Sequence, residues 1–336
     1  MNKPALLLVN LGTPDSPSYL HVFKYLREFL MDARVIDVPA FFRFILVTLI
    51  ICPFRSFSSS KVYKELWELS GGVSPLLKNT DELTKKLNLS QDNFNVHFAM
   101  RYQSPSIKNA LTKIKESNPS ELIVLPLFPH YASATSGSVF QEITKQISKE
   151  WVIPSFRYIS QYYNHPSFIN AWADAAKSFD MQAYDKIVFS YHGLPNSQVD
   201  KVYADNQCDG KNCEHEINAE NHYCYKATVY ETSKLIAKKL SISRERYEVT
   251  FQSRLTNNWL EPFSDQVLKN YPSENIKKIL VFSPAFTADC LETVIEIGDE
   301  YKEIFTEAGG DTLDYVPSLN FSDAWVQAII DIVNSK

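Results

Sequence analysis

Short apolar runs alternate along the chain with longer amphipathic stretches. Runs rich in β-branched and aromatic residues predict strands at 5–11, 94–100, 121–128, 186–192, 247–253 and 277–284. Between them, stretches such as 105–116 and 230–240 carry apolar residues at helical spacing. Near-continuous apolar strands separated by helices are typical of parallel sheets covered on both faces. The pattern therefore predicts an α/β protein.

The two halves of the chain repeat this pattern. LVNLGTP at 8–14 aligns with FSYHGLP at 189–195, and both end in a Gly-x-Pro turn. We therefore expect two α/β domains of similar topology, at 1–158 and 159–336, with the last helix packing back on the first domain. Since open α/β sheets bind ligands beyond the carboxyl ends of their strands, the matched turns are expected to face one cleft between the domains.

Composition narrows the class of protein. The 336 residues are 45% hydrophobic and 22% charged, which is enough for one large or two medium cores. A net charge of -5 without a long Lys/Arg block gives no indication of nucleic-acid binding. The apolar run at the N-terminus is too short for a secretory signal, so we expect a cytoplasmic protein. Three of the five cysteines crowd into 208–224, which indicates thiols or ligands rather than a disulfide framework.

One segment, at 40–54, is apolar enough to consider against a membrane. Its unbroken apolar or near-apolar run extends only from Phe44 to Cys52, which is shorter than the roughly 18–20 residues that span a bilayer. Two interpretations remain. The segment is a buried or half-buried helix, or it is an apolar lip that contacts a membrane or an apolar ligand.

A histidine stands at the predicted tip of the strand at 186–192. His192 is followed by Gly193 and Pro195, where the chain turns. It could be a core or turn-capping histidine bonded to a backbone carbonyl. At the ligand-binding edge, however, a neutral imidazole can accept protons or bind a borderline metal, and this position favours a functional role.

Three glutamates follow the strand at 277–284. Glu292, Glu296 and Glu300 are spaced four apart, which places them on one face of a helix. Most acidic stripes are solvated surfaces, but like charges at this spacing repel and no Lys or Arg is interleaved. With His192 they form a nitrogen and oxygen ligand set that suits Fe(II), Zn(II) or Co(II) held loosely and released.

Other predicted strand tips carry aromatic, hydroxyl and cationic groups. They include Arg101, Tyr102, Tyr131, Trp259 and Phe286. Such aromatic residues could be ordinary packing. Together they also describe a cleft with flat apolar walls, suited to a large planar ligand with acidic arms.

Taken in this order, the motifs resemble those of ferrochelatase, the enzyme family that inserts ferrous iron into a porphyrin. The resemblance covers almost the whole chain and rests on VNLGTPDSP, AMRYQSPSI, FPHYASATSGS, FSYHGLP and FSPAFTADCLETVIEIGDEY. It implies two Rossmann-like domains, each a parallel sheet flanked by helices, with the porphyrin in the cleft between them. It also implies Fe(II) as substrate, protoporphyrin IX or a closely related porphyrin as acceptor, haem as product of the terminal biosynthetic step, and no nucleotide.

The resemblance assigns roles to individual residues. His192 and Glu292 match the essential catalytic pair, which also contacts the metal, and Glu296 and Glu300 match the acidic line leading from it. Residues 29–54 resemble the mobile apolar lip of family members, which implies peripheral contact with the inner membrane. We expect a cytoplasmic protein that is a monomer or a homodimer. The positions that match the porphyrin-binding wall are Leu11, Arg101, Tyr102, Tyr131, Trp259 and Phe286.

Two departures from the family pattern concern cysteine. Cys290 stands where many relatives have a histidine, two residues before the essential glutamate. The insertion at 205–225 holds Cys208, Cys213 and Cys224, whereas some family members carry a 2Fe–2S cluster on four cysteines. The three thiols could hold a cluster with His215 or His222 as fourth ligand, could bind zinc with one of those histidines, or could form an unoccupied site.

Two rival functions are compatible with the same residues. One is another tetrapyrrole chelatase, which inserts cobalt or iron into a sirohydrochlorin-type ring and would need more cations for the additional carboxylates. The other is a two-domain haem-binding or solute-binding protein, which normally requires an export signal.

Overall fold

The structure, a computed structural model, describes residues 2–335. The chain divides into two compact units. The first runs to Phe128 and includes Ala132–Gln161, and the second takes Pro129–Tyr131 and the chain from Tyr162 onward. The division falls close to the boundary predicted after residue 158.

The first unit is built on a parallel sheet. Its strands are β1 (Ala5–Gly12), β2 (Asn95–Tyr102), β3 (Leu122–Pro126) and β4 (Phe156–Tyr158). Their order in the sheet is β2-β1-β3-β4. The central strand β1 is fully buried from Ala5 to Val9, which explains its continuous apolar run.

Helices alternate with these strands along the chain and cover the sheet on both faces, as expected of βαβ units. Two of the helices, α4 (Pro75–Ser90) and α5 (Ile107–Glu116), begin at a serine cap. The side chains of Ser74 and Ser106 accept a hydrogen bond from a backbone N–H in the first turn of α4 and α5, respectively. Helices α5 and α6 pack their apolar faces on β1 and β3. The helices are α1 (Tyr19–Leu30), α2 (Ala40–Phe44), α3 (Cys52–Leu69), α4 (Pro75–Ser90), α5 (Ile107–Glu116) and α6 (Ser138–Ile147).

The apolar segment of the first unit is one long helical stretch. A π-helical segment, Ile45–Ile51, joins α2 to α3, so helix runs unbroken through Ala40–Leu69 and is long and apolar enough to cross a membrane by length and composition. Only Val47 and Cys52 among its apolar residues at 40–54 are buried, and Phe54 is 77% exposed. The segment is therefore not a fully buried helix; its residues are mostly half-buried or exposed.

The second unit repeats the sheet of the first. Its strands are β5 (Lys186–His192), β6 (Tyr247–Gln252), β7 (Lys278–Phe282) and β8 (Thr312–Tyr315), all parallel, in the order β6-β5-β7-β8. The order matches that of the first sheet strand for strand. Two Rossmann-like domains, each with a parallel sheet flanked by helices, are thus confirmed.

The last helix packs within the second unit. Helix α12 lies on α7, and the Trp325 ring is 5.9 Å from the Phe168 ring. Its expected contact with the first domain stays a prediction. The helices of this unit are α7 (Pro166–Ala175), α8 (Asn196–Asp200), α9 (Tyr225–Lys239), α10 (Ser264–Asn270), α11 (Lys302–Glu307) and α12 (Asp323–Asn334), with a π-helical segment at Glu292–Tyr301.

Candidate functional site

His192 is the last residue of β5, at the carboxyl edge of the second sheet. Its Nδ1 lies 2.6 Å from the Gly193 carbonyl oxygen. Because a carbonyl can only accept, Nδ1 carries a proton, and Nε2 of the neutral ring holds the lone pair. The Trp259 ring is 6.2 Å away. The half-buried imidazole thus has a fixed tautomer and an aromatic neighbour.

The Gly-x-Pro turns at the two sheet edges are close-packed in the same way. A Cβ on Gly12 would lie 2.0 Å from the Tyr102 carbonyl oxygen, and Gly12 has a φ of +116°. A Cβ on Gly193 would lie 3.1 Å from the Gln252 carbonyl oxygen. In each unit the glycine lets the turn approach the last residue of the neighbouring strand.

The acidic stripe lies on the π-helical segment Glu292–Tyr301 rather than on the α-helix expected from its spacing. In a π-helix the hydrogen bonds run from i to i+5, so one turn holds more than four residues and residues four apart remain neighbours. Glu292 and Glu296 are half-buried, whereas Glu300 is exposed. The stripe therefore leads from the surface inward.

Glu296 connects this helix to the end of β6. Its Oε1 accepts bonds from the Ser253 N–H (2.9 Å) and the Tyr301 hydroxyl (3.0 Å). Its Oε2 accepts from Gln252 Nε2 (3.0 Å) and the Ser253 hydroxyl (2.5 Å). Burial, and next the charge of Glu296, raise the pKa of Tyr301, which keeps that hydroxyl a donor. Because Gln252 pairs with His192 in the sheet, the carboxylate is held one strand away from the imidazole.

The start of the acidic helix is fixed by Asp289. Its carboxylate accepts bonds from Asn320 Nδ2 (2.7 Å), the Thr293 hydroxyl (3.1 Å) and the Ser318 N–H (3.2 Å). Next to it, burial and then the charge of Glu292 raise the pKa of the Cys290 thiol. At the position where many relatives have histidine, this chain therefore presents a neutral thiol beside Glu292.

At the edge of the first sheet, Asp32 is the centre of a hydrogen-bond network. It accepts bonds from Arg101 Nη2 (2.7 Å), the Tyr102 hydroxyl (3.0 Å) and the Ser138 hydroxyl (2.5 Å). Burial opposes ionisation of Asp32, but bonds from Ser138 and the Arg34 N–H and the charge of Arg101 offset it, so its pKa is lowered. The network engages two predicted porphyrin-binding residues, and Tyr102 is fully buried. Asp32 was not among the site residues predicted from the sequence.

An open cavity lies beside this network within the first unit. Its volume is about 1050 Å³. Arg101 lines it, but Leu11 and Tyr102 do not. The other cations that line it are Lys24, Arg27, Lys108 and Lys145.

The remaining predicted wall residues belong to the second unit, except Leu11, which is half-buried at the end of β1. Trp259 is beside His192, whereas Tyr131 packs edge-on against Tyr223 with ring centroids 5.6 Å apart. Phe286 is half-buried in the turn after β7. Among the predicted wall residues of this unit, all within the described residues 2–335, only Trp259 has its ring next to His192, the predicted base.

The three cysteines of the insertion are brought together. The Sγ atoms of Cys208, Cys213 and Cys224 all lie within 4.8 Å of one another. The Tyr203 hydroxyl, which the sequence analysis missed, is 2.9 Å from Cys213 Sγ. Hydrogen bonds from the other two thiols lower the pKa of Cys224. In the described part of the chain, neither His215 nor His222 joins this group.

Comparison with known proteins decides the family. The model of the Ferrochelatase family matches residues 3–336. The ferrochelatase of Legionella pneumophila (strain Paris) is 40% identical over 336 residues, which is 99% of either chain. That of Coxiella burnetii (strain Dugway 5J108-111) is 41% identical over 333 residues, covering 98% of this chain and 92% of the relative. This chain belongs to the ferrochelatase family.

Membership of this family confirms the predicted reaction. The enzyme is a metal chelatase that inserts ferrous iron into a porphyrin to form haem, and iron is its substrate. Among solved structures, SirB from Bacillus subtilis with Fe3+ matches at a TM-score of 0.57 and 12% identity, over 98% of this chain and 94% of that one. This second likeness concerns the fold.

Proposed function

We propose that His192 accepts the pyrrole protons that iron displaces, with Glu292 as its partner. The observation that carries this assignment is the bond from His192 Nδ1 to the Gly193 carbonyl, which leaves Nε2 as the basic nitrogen at the ligand-binding edge. A general base needs an unprotonated acceptor atom within reach of the proton that it takes. The bond at Nδ1 places that acceptor at Nε2 whenever the ring carries a single proton.

Insertion exchanges two pyrrole protons for one Fe(II) ion, and no electron is transferred. The ring must expose its nitrogen lone pairs while the ion loses water. A closed site that bends the ring favours both, with the strain offset by binding at the ring's edges. Trp259, beside His192, is the wall residue best placed to contact the reacting centre.

The three glutamates have different roles in this proposal. Glu300, at the exposed end, meets the hydrated ion or releases protons to water, and Glu292 works beside His192. Glu296 is a positioning residue, because four donors already occupy both of its oxygens. This changes the direct metal contact that the sequence predicted for Glu296.

The porphyrin-binding wall stays a prediction for Leu11, Tyr131 and Phe286. For Arg101 and Tyr102 we propose an indirect role, in which the Asp32 network fixes the end of β2. The substrate is protoporphyrin IX or a closely related porphyrin, whose acidic arms require cations at the rim.

We also propose that the apolar lip brings the enzyme to the inner membrane as a peripheral protein of the cytoplasm, as a monomer or homodimer. Exposed phenylalanines and leucines at 41–57 support this contact. Sedimentation with phospholipid vesicles should fall when Phe41, Phe42 and Phe54 are replaced by serine. Unchanged sedimentation would contradict the proposal.

A 2Fe–2S cluster on Cys208, Cys213 and Cys224 is one of the three interpretations that the sequence left open, beside zinc and an unoccupied site. The proposed reaction changes no oxidation state, so it draws on no redox centre.

The test of the function is anaerobic conversion of protoporphyrin by ferrous iron, followed through the visible spectrum of the porphyrin. We expect conversion of protoporphyrin and none of a sirohydrochlorin-type ring with cobalt. The opposite preference would place the enzyme with the rival tetrapyrrole chelatases. Binding of haem without conversion would indicate a carrier.

A further inference from the structure

The thiol cluster of Cys208, Cys213 and Cys224 has the geometry of a site for a single ion. We propose that it binds one divalent thiophilic cation of the zinc class, with its fourth position beside the Tyr203 hydroxyl, and that it does not hold a 2Fe–2S cluster. Metal binding there is separate from the porphyrin reaction. It adds a resident ion to an enzyme whose other metal is its substrate.

Sulfur separation distinguishes the two kinds of site. Around one ion with metal–sulfur bonds of about 2.3 Å, tetrahedral thiolates lie about 3.8 Å apart. All three Sγ atoms are within 4.8 Å of one another, so a small adjustment of the side chains brings them to one ion. In a 2Fe–2S centre two ligands bind each iron, so three thiolates cannot all share one iron. At least one sulfur must then bind the second iron and lie farther from the others than around a single ion.

The ligand count points the same way. A 2Fe–2S centre needs four protein ligands, and the sequence supplied His215 or His222 as candidates. Both histidines are exposed and stand outside the group of three thiols in the described chain. His222 Nδ1 bonds the Ala219 carbonyl at 2.9 Å. A single ion needs only one more ligand, and Tyr203 Oη is 2.9 Å from Cys213 Sγ.

The surrounding chain gives the site a structural purpose. Residues 201–224 connect α8 to α9 without helix or strand, which exceeds the roughly 12–15 residues beyond which such connections are uncommon. Cys213 and Cys224 are buried, and Cys208 is half-buried. A cation that gathers three thiolates offsets their mutual repulsion and ties the segment down at three points.

The site is next to the support of His192. Cys224 directly precedes Tyr225, whose hydroxyl donates a bond to the His192 carbonyl oxygen at 3.0 Å. An ion on Cys224 therefore fixes the start of α9 and, through Tyr225, the backbone of the histidine. This consequence rests on the proposed role of His192, whereas the metal site itself does not.

Cadmium titration tests the proposal on the full-length chain. Replacing Cys52 and Cys290 by alanine leaves the three clustered thiols as the only cysteines of the five. With reductant and without oxygen, Cd²⁺ should bind one ion per chain with the ultraviolet charge-transfer absorption of three thiolates, and Zn²⁺ should displace it. Cadmium at a nitrogen and oxygen site gives no such band, so the signal excludes the active site.

Single variants identify the ligands. Each of Cys208→Ser, Cys213→Ser and Cys224→Ser should weaken cadmium binding at least about tenfold. The matched controls His215→Ala and His222→Ala should bind as before, and Tyr203→Phe should keep the three-thiolate band. If a serine variant fails to fold, the melting temperature of the parent protein decides, because Zn²⁺ should raise it and a chelator should reverse the rise.

Two results would overturn the proposal. One is stoichiometric iron and acid-labile sulfide, with visible absorption, in protein purified without oxygen, which would establish a cluster. The other is the absence of a thiolate band and of thermal stabilisation at saturating metal. Neither result bears on porphyrin metallation by the same protein, so failure here is distinguishable from failure of the proposed function.

Discussion

The carboxyl edges of the two sheets have the same strand order and the same glycine turn, but the carboxylate at each edge has a different set of hydrogen-bond partners. In the first unit Asp32 is neutralised by Arg101 at 2.7 Å. In the second unit the four donors to Glu296 are all uncharged. At the position before the glycine of the turn, the first edge has Leu11, whereas the second has His192. The first edge thus carries the neutral ion pair of Asp32 and Arg101. The second edge keeps the negative charge of Glu296, one strand away from the proposed base His192.

In the proposed mechanism, this difference lets one topology supply both a scaffold and a reactive centre. A paired carboxylate holds a strand end in place and has little capacity left for another cation. A carboxylate held by neutral donors keeps its charge, which stabilises a cation or an imidazolium nearby. We therefore expect variants of the first edge to change mainly stability, and variants of the second edge to change mainly the rate.

The largest expected effect is on the second edge. His192→Ala should lower the insertion rate by 10² to 10⁴, the usual contribution of a general base, while porphyrin affinity stays near normal. Rates are measured anaerobically with ferrous iron, and affinity by quenching of porphyrin fluorescence. The control is His21→Ala, which removes a histidine of the first unit. Activity above about a tenth of normal would reduce His192 to a turn-capping residue.

A large effect of another kind is expected at the first edge. Asp32→Ala leaves the mostly buried Arg101 without its partner and should lower the free energy of unfolding by about 3–5 kcal/mol. Denaturant unfolding measures this loss. Lys3→Ala is the control, since its ion pair with Asp92 is on the surface and should contribute at most about 1 kcal/mol. Equal losses in the two variants would show that the Asp32 network is not the support described above.

A smaller effect on rate should follow Glu296→Gln. The amide keeps the size of the side chain but loses the charge and part of the network, so turnover should fall about tenfold while porphyrin affinity changes little. Glu300→Gln, at the exposed end of the stripe, should mainly raise the iron requirement. Steady-state kinetics against iron and against porphyrin separate the two. A large loss of porphyrin binding with a normal iron requirement would contradict both roles.

The effect that is smallest at neutral pH concerns a histidine that is not in the site. His130 is buried among Tyr163, Tyr191 and Tyr225, and burial lowers its pKa to about 3. In the unfolded chain the pKa is about 6.5, so its contribution is complete above that pH and is lost as the pH falls toward 3. The free energy of unfolding should fall by up to about 1.4 kcal/mol per pH unit in that window.

Comparison with His130→Gln isolates this contribution, because the variant keeps a polar group but does not titrate. Urea unfolding above and below pH 6.5 should give a shallower pH dependence for the variant than for the wild type. Identical slopes would mean that another group controls the acid sensitivity.

Much of the fold follows from apolar runs, because the central strands are buried on both faces. Two of the four outer strands, Phe156–Tyr158 and Thr312–Tyr315, escaped prediction because they are short and largely half-buried, so they lack a continuous apolar run. The helix of Glu292 was predicted with the wrong type, since a spacing of four residues fits both i→i+4 and i→i+5 bonding. Hydropathy located the lip but could not indicate that its phenylalanines are exposed.

Candidate site residues can be proposed from the sequence where one residue carries the chemistry, but contacts between distant residues cannot. His192 and Glu292 stand in distinctive local motifs. The contacts of Asp32 with Arg101 and of Tyr225 with His192 join residues 69 and 33 positions apart, and no local spacing signals them. Tyr203 was missed for the same reason, because only folding brings its hydroxyl to the thiols.

The central claim is that the neutral imidazole of His192 takes the pyrrole protons. The most direct measurement is chemical rescue, in which free imidazole is added to His192→Ala and iron insertion is followed anaerobically. We predict that the rate rises with imidazole concentration in this variant, and that the same imidazole does not restore Glu292→Gln. A rate for His192→Ala that stays low at every imidazole concentration, or an equal increase in Glu292→Gln, would contradict His192 as the proton acceptor.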